Sequence, residues 1–212
     1  MARPRTHHEG KKQELIKVSF DLFMEKGYEN TSIQDIMNVA QVSKGAMYHY
    51  FTCKEDILDA VLNYIIDLDV QRLEPIIGNP SLSALEKMIV AMSGNVPQVT
   101  EELQRAIDYI TKRPASIFDY RARELSKNRT VPRLIDLIKE GVETGEFHTE
   151  YPAEMAVFIY SAAQTISELL VYQADGANLS QTMDAFIVLL ANCLGLEKER
   201  QDFLTDFFHE KF

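Results

Sequence analysis

The stretch TSIQDIMNVAQVSKGAMYHYF, Thr31 to Phe51, decides the fold. Apolar residues at Ile33, Ile36, Met37 and Ala40 repeat at helical spacing. Thr31, with Gln34 three residues later, has the form of a capping box, in which hydroxyl and amide close each other's open backbone groups. A break follows at Ala40-Gln41-Val42. Ser43 is then a good N-cap for another short helix, Lys44 to about Phe51, dense in rings at Tyr48, His49, Tyr50 and Phe51. Two short helices joined by a tight turn make a helix-turn-helix, whose second helix fits the major groove of B-DNA with its N-terminal residues against base edges. Here those residues are Ser43, Lys44, Gly45, Ala46 and Met47, with Tyr48 and His49 one turn on. Gly45 lets the backbone approach the duplex, Lys44 reaches guanine acceptors or phosphate, and hydroxyl and ring N–H groups suit phosphate oxygens. The competing use for these rings is a small bundle core. That use takes Phe51 and part of Tyr50, because so short a helix needs an apolar face to dock, and it leaves the polar set Ser43, Lys44, Tyr48 and His49 facing outward.

Outward from this stretch the helical period continues. Leu15, Ser19, Leu22 and Phe23 form one stripe of a helix over Lys11 to Lys26, and Gly27 stops it. A longer helix begins around Thr52 to Lys54, with Thr52 and Glu55 as its capping pair, and carries Ile57, Leu58, Val61, Leu62 and Ile65 toward Leu73. Beyond Pro75 the punctuation predicts a segment from Ser81 or Ser83 to Gly94, one opened by Val96-Pro97 that reaches Arg113, and two more over Ala115 to Lys127 and Val131 to Thr144. Pro152 suits the first turn of a helix over Ala153 to Tyr172, and the last strong helix spans Ser180 to Leu194 before Gly195. Sustained alternation of apolar and polar residues is missing. The chain reads as all-α.

The chain has 212 residues and a formal net charge of -10, which taken whole argues against a nucleic-acid partner. The distribution says otherwise. Residues 1–54 hold eight Lys or Arg against six Asp or Glu, whereas the rest holds 14 against 26. An almost neutral, slightly basic segment therefore precedes a strongly acidic one, which suggests two modules with different partners. The two cysteines, Cys53 and Cys193, form no CxxC or Cys/His cluster, so neither a disulfide framework nor a structural zinc site is expected. Without a signal-peptide pattern or a run of about 18 apolar residues, the chain is expected to be cytoplasmic, with no membrane partner. No G-x-S-x-G, HExxH, P-loop or dinucleotide fingerprint occurs, so an enzyme is not expected, and neither is a cofactor or metal.

The segment Tyr28 to Leu58 resembles the DNA-binding signature of the tetracycline-repressor (TetR) family of bacterial transcription regulators. The resemblance rests on Ala40, Val42, Ser43, Gly45, Tyr48, Tyr50, Phe51, Lys54 and Glu55 at family spacing. Two positions depart from it: Gln41, where the family often has glycine, and Cys53, where it often has serine. The resemblance implies a homodimer that binds a double-stranded DNA operator and is released, as a repressor, when a small molecule occupies the C-terminal domain. It also implies that Thr31 and Ser32 touch phosphate, that Tyr48, His49 and Lys54 clamp the backbone, and that Ser43, Lys44, Gly45 and Ala46 face bases. A three-helix DNA-binding domain at 1–54 and a larger helical regulatory, ligand-binding and dimerisation domain at 55–212 follow. Arg3 and Arg5 precede the first helix as a basic arm that enters a minor groove or simply solubilises the terminus.

In the second domain, the helices over Ala153 to Tyr172 and Ser180 to Leu194 mix small and large apolar residues, which suits close antiparallel packing. Two such helices from each of two subunits make a four-helix dimer interface, for which Phe158, Ala162, Ile166, Leu169, Met183, Phe186, Ile187 and Leu190 are the candidates. Interior helices of a monomer are the other reading. Candidates for an effector cavity are Met88, Met92, Tyr109, Phe118, Tyr120, Phe158, Gln164, Glu168 and Tyr172, residues whose default use is ordinary core. The rival function is a helix-turn-helix sensor or adaptor without ligand-regulated release.

Overall fold

The structure, a computed structural model, describes residues 5–92, 99–113, 116–171 and 179–211. Among them every regular element is a helix: α1 (Arg5–Lys26), α2 (Ile33–Ala40), α3 (Lys44–Tyr50), α4 (Lys54–Ile77), α5 (Ala84–Met92), α6 (Glu101–Lys112), α7 (Ile117–Glu143), α8 (Pro152–Val171), α9 (Leu179–Leu194) and α10 (Lys198–Lys211). The fold is all-α, as the periodicity predicts. Two compact units form, one from Met1–Val70 with Val99–Leu125, the other from Gln71–Gln98 with Ser126–Phe212. Packing thus adds most of α4, α6 and the start of α7 to the helices that a division at residue 54 sets apart.

The first unit is built on rings and branched aliphatics that α1, α2, α3, α4, α6 and α7 turn inward. Leu15, Phe23, Ile36, Met47, Ile57, Leu62, Ala106 and Phe118 are all buried in one cluster. Gly27 takes φ +90° and ends α1, a conformation that costs glycine little. The start of α2 lies one residue later than its pattern suggests. Ser32, not Thr31, is the N-cap, and its capping-box partner is Asp35 rather than Gln34. Thr31 is 1% exposed and donates its hydroxyl to the Gly27 carbonyl at 2.8 Å, so burial assigns the box to the neighbouring pair. Gln41 closes α2 in the left-handed region at φ 52°, a strain of roughly 1 kcal/mol that glycine would avoid. Likewise Thr52 pairs with Asp56, not Glu55: its amide donates to Asp56 Oδ2 at 2.8 Å, and its hydroxyl donates to the same oxygen.

The second unit packs α8 on α9 and α9 on α10 around Ile138, Phe147, Ile159, Phe186, Leu190, Leu194 and Leu204. Ser83 and Glu86 cap α5 reciprocally. Glu146, buried, accepts from the Ala84 amide at 2.8 Å and from the Arg200 guanidinium, tying the start of α5 to α10. Four predicted boundaries are corrected. The two segments over 115–144 are one helix, α7, that runs through Pro132, and α4 runs through Pro75 to Ile77. Thr100 caps α6 through the Leu103 amide at 3.2 Å, while Gly94, Val96 and Pro97 lie outside the described residues. A further helix, α10, follows Gly195, its Leu204 and Phe208 buried against α9. Among the described residues no helix is long and apolar enough to cross a membrane.

Candidate nucleic-acid interface

Met47 and Phe51 root the short α3. Met47, expected among the base-facing residues, is instead 0% exposed and anchors the helix from below. Ser43 caps α3 from extended backbone, its Oγ accepting from the Ala46 amide at 3.2 Å. Ser43, Lys44, Gly45, Tyr48 and His49 are exposed and Ala46 is half-buried. A β-carbon at Gly45 would meet no protein atom within 4 Å, so the space that this glycine keeps open lies outside the molecule. The Lys44 ammonium stands 5.8 Å from the Tyr48 ring, and the His49 ring meets Tyr50 edge-on at 5.1 Å. Tyr48 is 44% exposed, much surface for an aromatic side chain on an otherwise polar face.

At the edges of this face the candidates divide. Ser32 is exposed, but its hydroxyl donates to Asp35 Oδ2 at 2.6 Å, and that bond, with the Ser32 amide, holds the Asp35 carboxyl below the ordinary carboxylate range. Thr31 does not reach the surface to meet a phosphate. Lys54 lies half-buried with its Nζ 4.3 Å from the Tyr28 ring and donates to the Glu29 carbonyl at 3.3 Å. It ties the α1–α2 turn to α4, leaving further N–H groups for an outside acceptor. The Tyr28 phenol, pushed up to about 12 by burial first and by Glu55 next, stays neutral beneath it. Arg5 is the first residue of α1 rather than part of an arm before it. Arg3 lies outside the described residues. One cation went unnoticed in the sequence: Lys12, exposed on α1, sits 5.9 Å from the Phe51 ring and so beside the end of α3. Reading α1 by its apolar stripe hides it, since its place depends on how α1 crosses α3.

Comparison with known proteins bears on this arrangement. Residues 15–61 match the model of the tetR family of bacterial regulatory proteins. The HTH-type transcriptional regulator YuxN of Bacillus subtilis is 35% identical over 88 residues, which are 41% of this chain and 30% of YuxN. The HTH-type transcriptional repressor KstR2 of Mycolicibacterium smegmatis is 22% identical over 147 residues, covering 68% of this chain and 71% of KstR2. A TetR-family transcriptional regulator from Pectobacterium atrosepticum superposes with a TM-score of 0.63 at 24% identity, covering 91% of this chain and 98% of that one. Residues 15–61 are a TetR-family domain. It spans less than a third of the length of the Bacillus subtilis relatives YuxN and YerO.

The residues expected around an effector are divided between the two units. Met88 and Met92 belong to the second unit's core, Tyr109 and Phe118 to the first's. Tyr120, 58% exposed, and Phe158, 56% exposed, are turned to solvent. Gln164 donates to the Tyr160 hydroxyl at 2.7 Å, the Glu168 side chain is outside the described set, and Tyr172 is outside the described residues. A cavity of about 140 Å³ in the first unit has Phe20, Tyr64, Lys17 and Arg105 in its wall and none of the nine candidates. The dimer candidates divide in the same way. Ile166, Met183, Phe186, Ile187 and Leu190 are buried in the second unit's own core, in one cluster with Leu204 and Phe208 of α10. Phe158 and Leu169 stay exposed and Ala162 is half-buried; Val188, 59% exposed on α9, was not among the candidates.

Proposed function

We propose that this chain is a transcriptional repressor of the TetR family that reads double-stranded DNA through α2 and α3, pairs with a second copy, and is released by a small molecule. Residues 1–54 carry the reading surface, with α6 and the start of α7 completing the core beneath it, and residues 55–212 serve pairing and effector binding. The observation that carries this function is the exposed polar row Ser43, Lys44, Gly45, Tyr48 and His49 on a helix rooted by Met47. Lys44 and Lys12 supply charge for phosphate, Ser43, Gly45 and Ala46 face bases, and Tyr48 and His49 flank them. Phe158, Leu169 and Val188 offer apolar surface on α8 and α9 for a second copy, which would set two reading helices roughly 34 Å apart or more on one duplex. Of the effector candidates, Met88, Met92 and Gln164 are the described ones that the second unit holds buried or half-buried. Release requires an effector that binds the DNA-incompetent arrangement better, since equal affinity for both shifts nothing.

The test is selection of duplexes from a random library by the full chain, followed by titration of the enriched sequence and a scrambled one at several salt concentrations. Tyr48→Ala should weaken the enriched duplex by tenfold or more, about 1.4 kcal/mol, and leave the unfolding midpoint and the mass of the paired chain unchanged. Failure of the wild-type chain to enrich any sequence rejects the repressor.

A further inference from the structure

The amide of Tyr28 is the first beyond Gly27, whose left-handed turn carries the chain out of α1. A helical carbonyl one turn back is no longer in line with it. This buried N–H donates instead to the Tyr109 hydroxyl on α6 at 3.0 Å, across 81 positions of sequence. The hydroxyl is held in place by its ring, which is buried, meets Phe118 edge-on at 4.8 Å and lies under the Arg113 guanidinium at 4.4 Å. One turn earlier on α6, Arg105 pairs with Asp21 of α1 at 2.7 Å. So α6 holds α1 at two points, one at the surface and one inside.

The inner point has the larger reach. Tyr28 also accepts from the Thr31 amide at 3.2 Å, just before the Ser32 cap of α2, and its ring carries the Lys54 ammonium at the start of α4. The segments that enter and leave the helix-turn-helix therefore both rest on Tyr28, and Tyr28 rests on Tyr109. We infer that Tyr109 is a positioning residue for DNA reading: through the Tyr28 amide, α6 sets where α2 begins and where Lys54 stands. An orphaned buried amide is costly, so the turn shifts to find water or another acceptor when the hydroxyl is lost.

This inference rests on the proposed DNA binding, and the test separates the two. Tyr109→Phe keeps the ring packing and removes only the acceptor. At a temperature well below unfolding it should bind the enriched duplex about tenfold more weakly than wild type and the scrambled duplex within about twofold. A merely structural role would not change affinity in a folded population. Arg105→Ala, which breaks the surface pair and spares the amide, should change the enriched-duplex affinity by less than about threefold. In the wild-type chain the Tyr28 amide should resist hydrogen exchange as the buried part of α1 does. Wild-type affinity in Tyr109→Phe, an equal loss in Arg105→Ala, or rapid exchange at Tyr28 would each overturn the positioning role while leaving DNA binding intact. A wild-type chain that enriches no sequence removes DNA binding, and the positioning role with it.

Discussion

The two units close their cores with polar groups of different kinds. In the first, the ion pairs that join distant helices lie at the surface: Asp21 with Arg105, and Asp59 with Arg121, whose fork holds the carboxylate at 2.6 and 3.1 Å. Such pairs are worth about 0–1 kcal/mol each. Inside, the Tyr28 amide donates to the Tyr109 hydroxyl as described above, and the buried Asp119 holds Arg123 of its own helix. In the second, a buried carboxylate, Glu146, satisfies an α5 amide and Arg200, and a buried Lys87 meets Glu140 at 2.5 Å. Between its helices the first unit is thus held mainly by apolar packing and weak surface ties, which suits the DNA reading proposed for it. The second is pinned by groups whose loss leaves buried partners unsatisfied.

The largest expected effect tests the pin. Glu146→Ala should destabilise the chain by about 2–4 kcal/mol in urea unfolding, since it orphans the buried Ala84 and Leu85 amides at the start of α5. A loss below about 1 kcal/mol would erase the contrast between the units. Next comes Gly141→Ala on α7. Its new carbon would lie 2.1 Å from the Phe147 ring, so that ring must move, at about 1–3 kcal/mol by the same measurement. The smallest effect belongs to the first unit. Hydrogen bonds from Ser32 and Thr52 hold the Asp35 and Asp56 carboxyls below their ordinary 3.8. A folded value below the unfolded one gives stability that is complete above about pH 4 and lost as pH falls through the folded values. The double variant Asp35→Asn with Asp56→Asn should therefore melt a little below wild type at neutral pH, and the gap should close in acid. A gap that widens in acid would mean that these carboxylates are not caps.

What was legible follows the same division. The helix-turn-helix could be read because its signals are local: a cap at Ser43, a stop at Gly27, a stripe through Ile36 and Met37. It failed by one residue at Thr31, where two adjacent hydroxyls both precede a suitable partner and only the burial of Thr31 against the end of α1 separates them. In the second unit the helices were legible and their faces were not. Met183, Phe186, Ile187 and Leu190 form an apolar stripe whatever covers it, and one of the two helices packed on α9, α10, is rich in charge, with Leu204 and Phe208 as its buried points. Pro132 looked like a boundary because proline lacks a donor, yet α7 continues through it. Tyr109, taken for an effector contact, serves the first unit because α6 packs there, which no periodicity within α6 could reveal.

The bond between Tyr28 and Tyr109 also sets a clock. At roughly 5–20 residues per second of synthesis, the 81 positions between them separate the two residues by about 4–16 s. Once Phe51 has been made, and for the rest of that interval, a nascent chain holds the complete helix-turn-helix sequence and lacks the acceptor for its turn. On the positioning role inferred for Tyr109, the helix-turn-helix reaches its final shape only after α6 has been made, so it is not finished ahead of the helix that supports it.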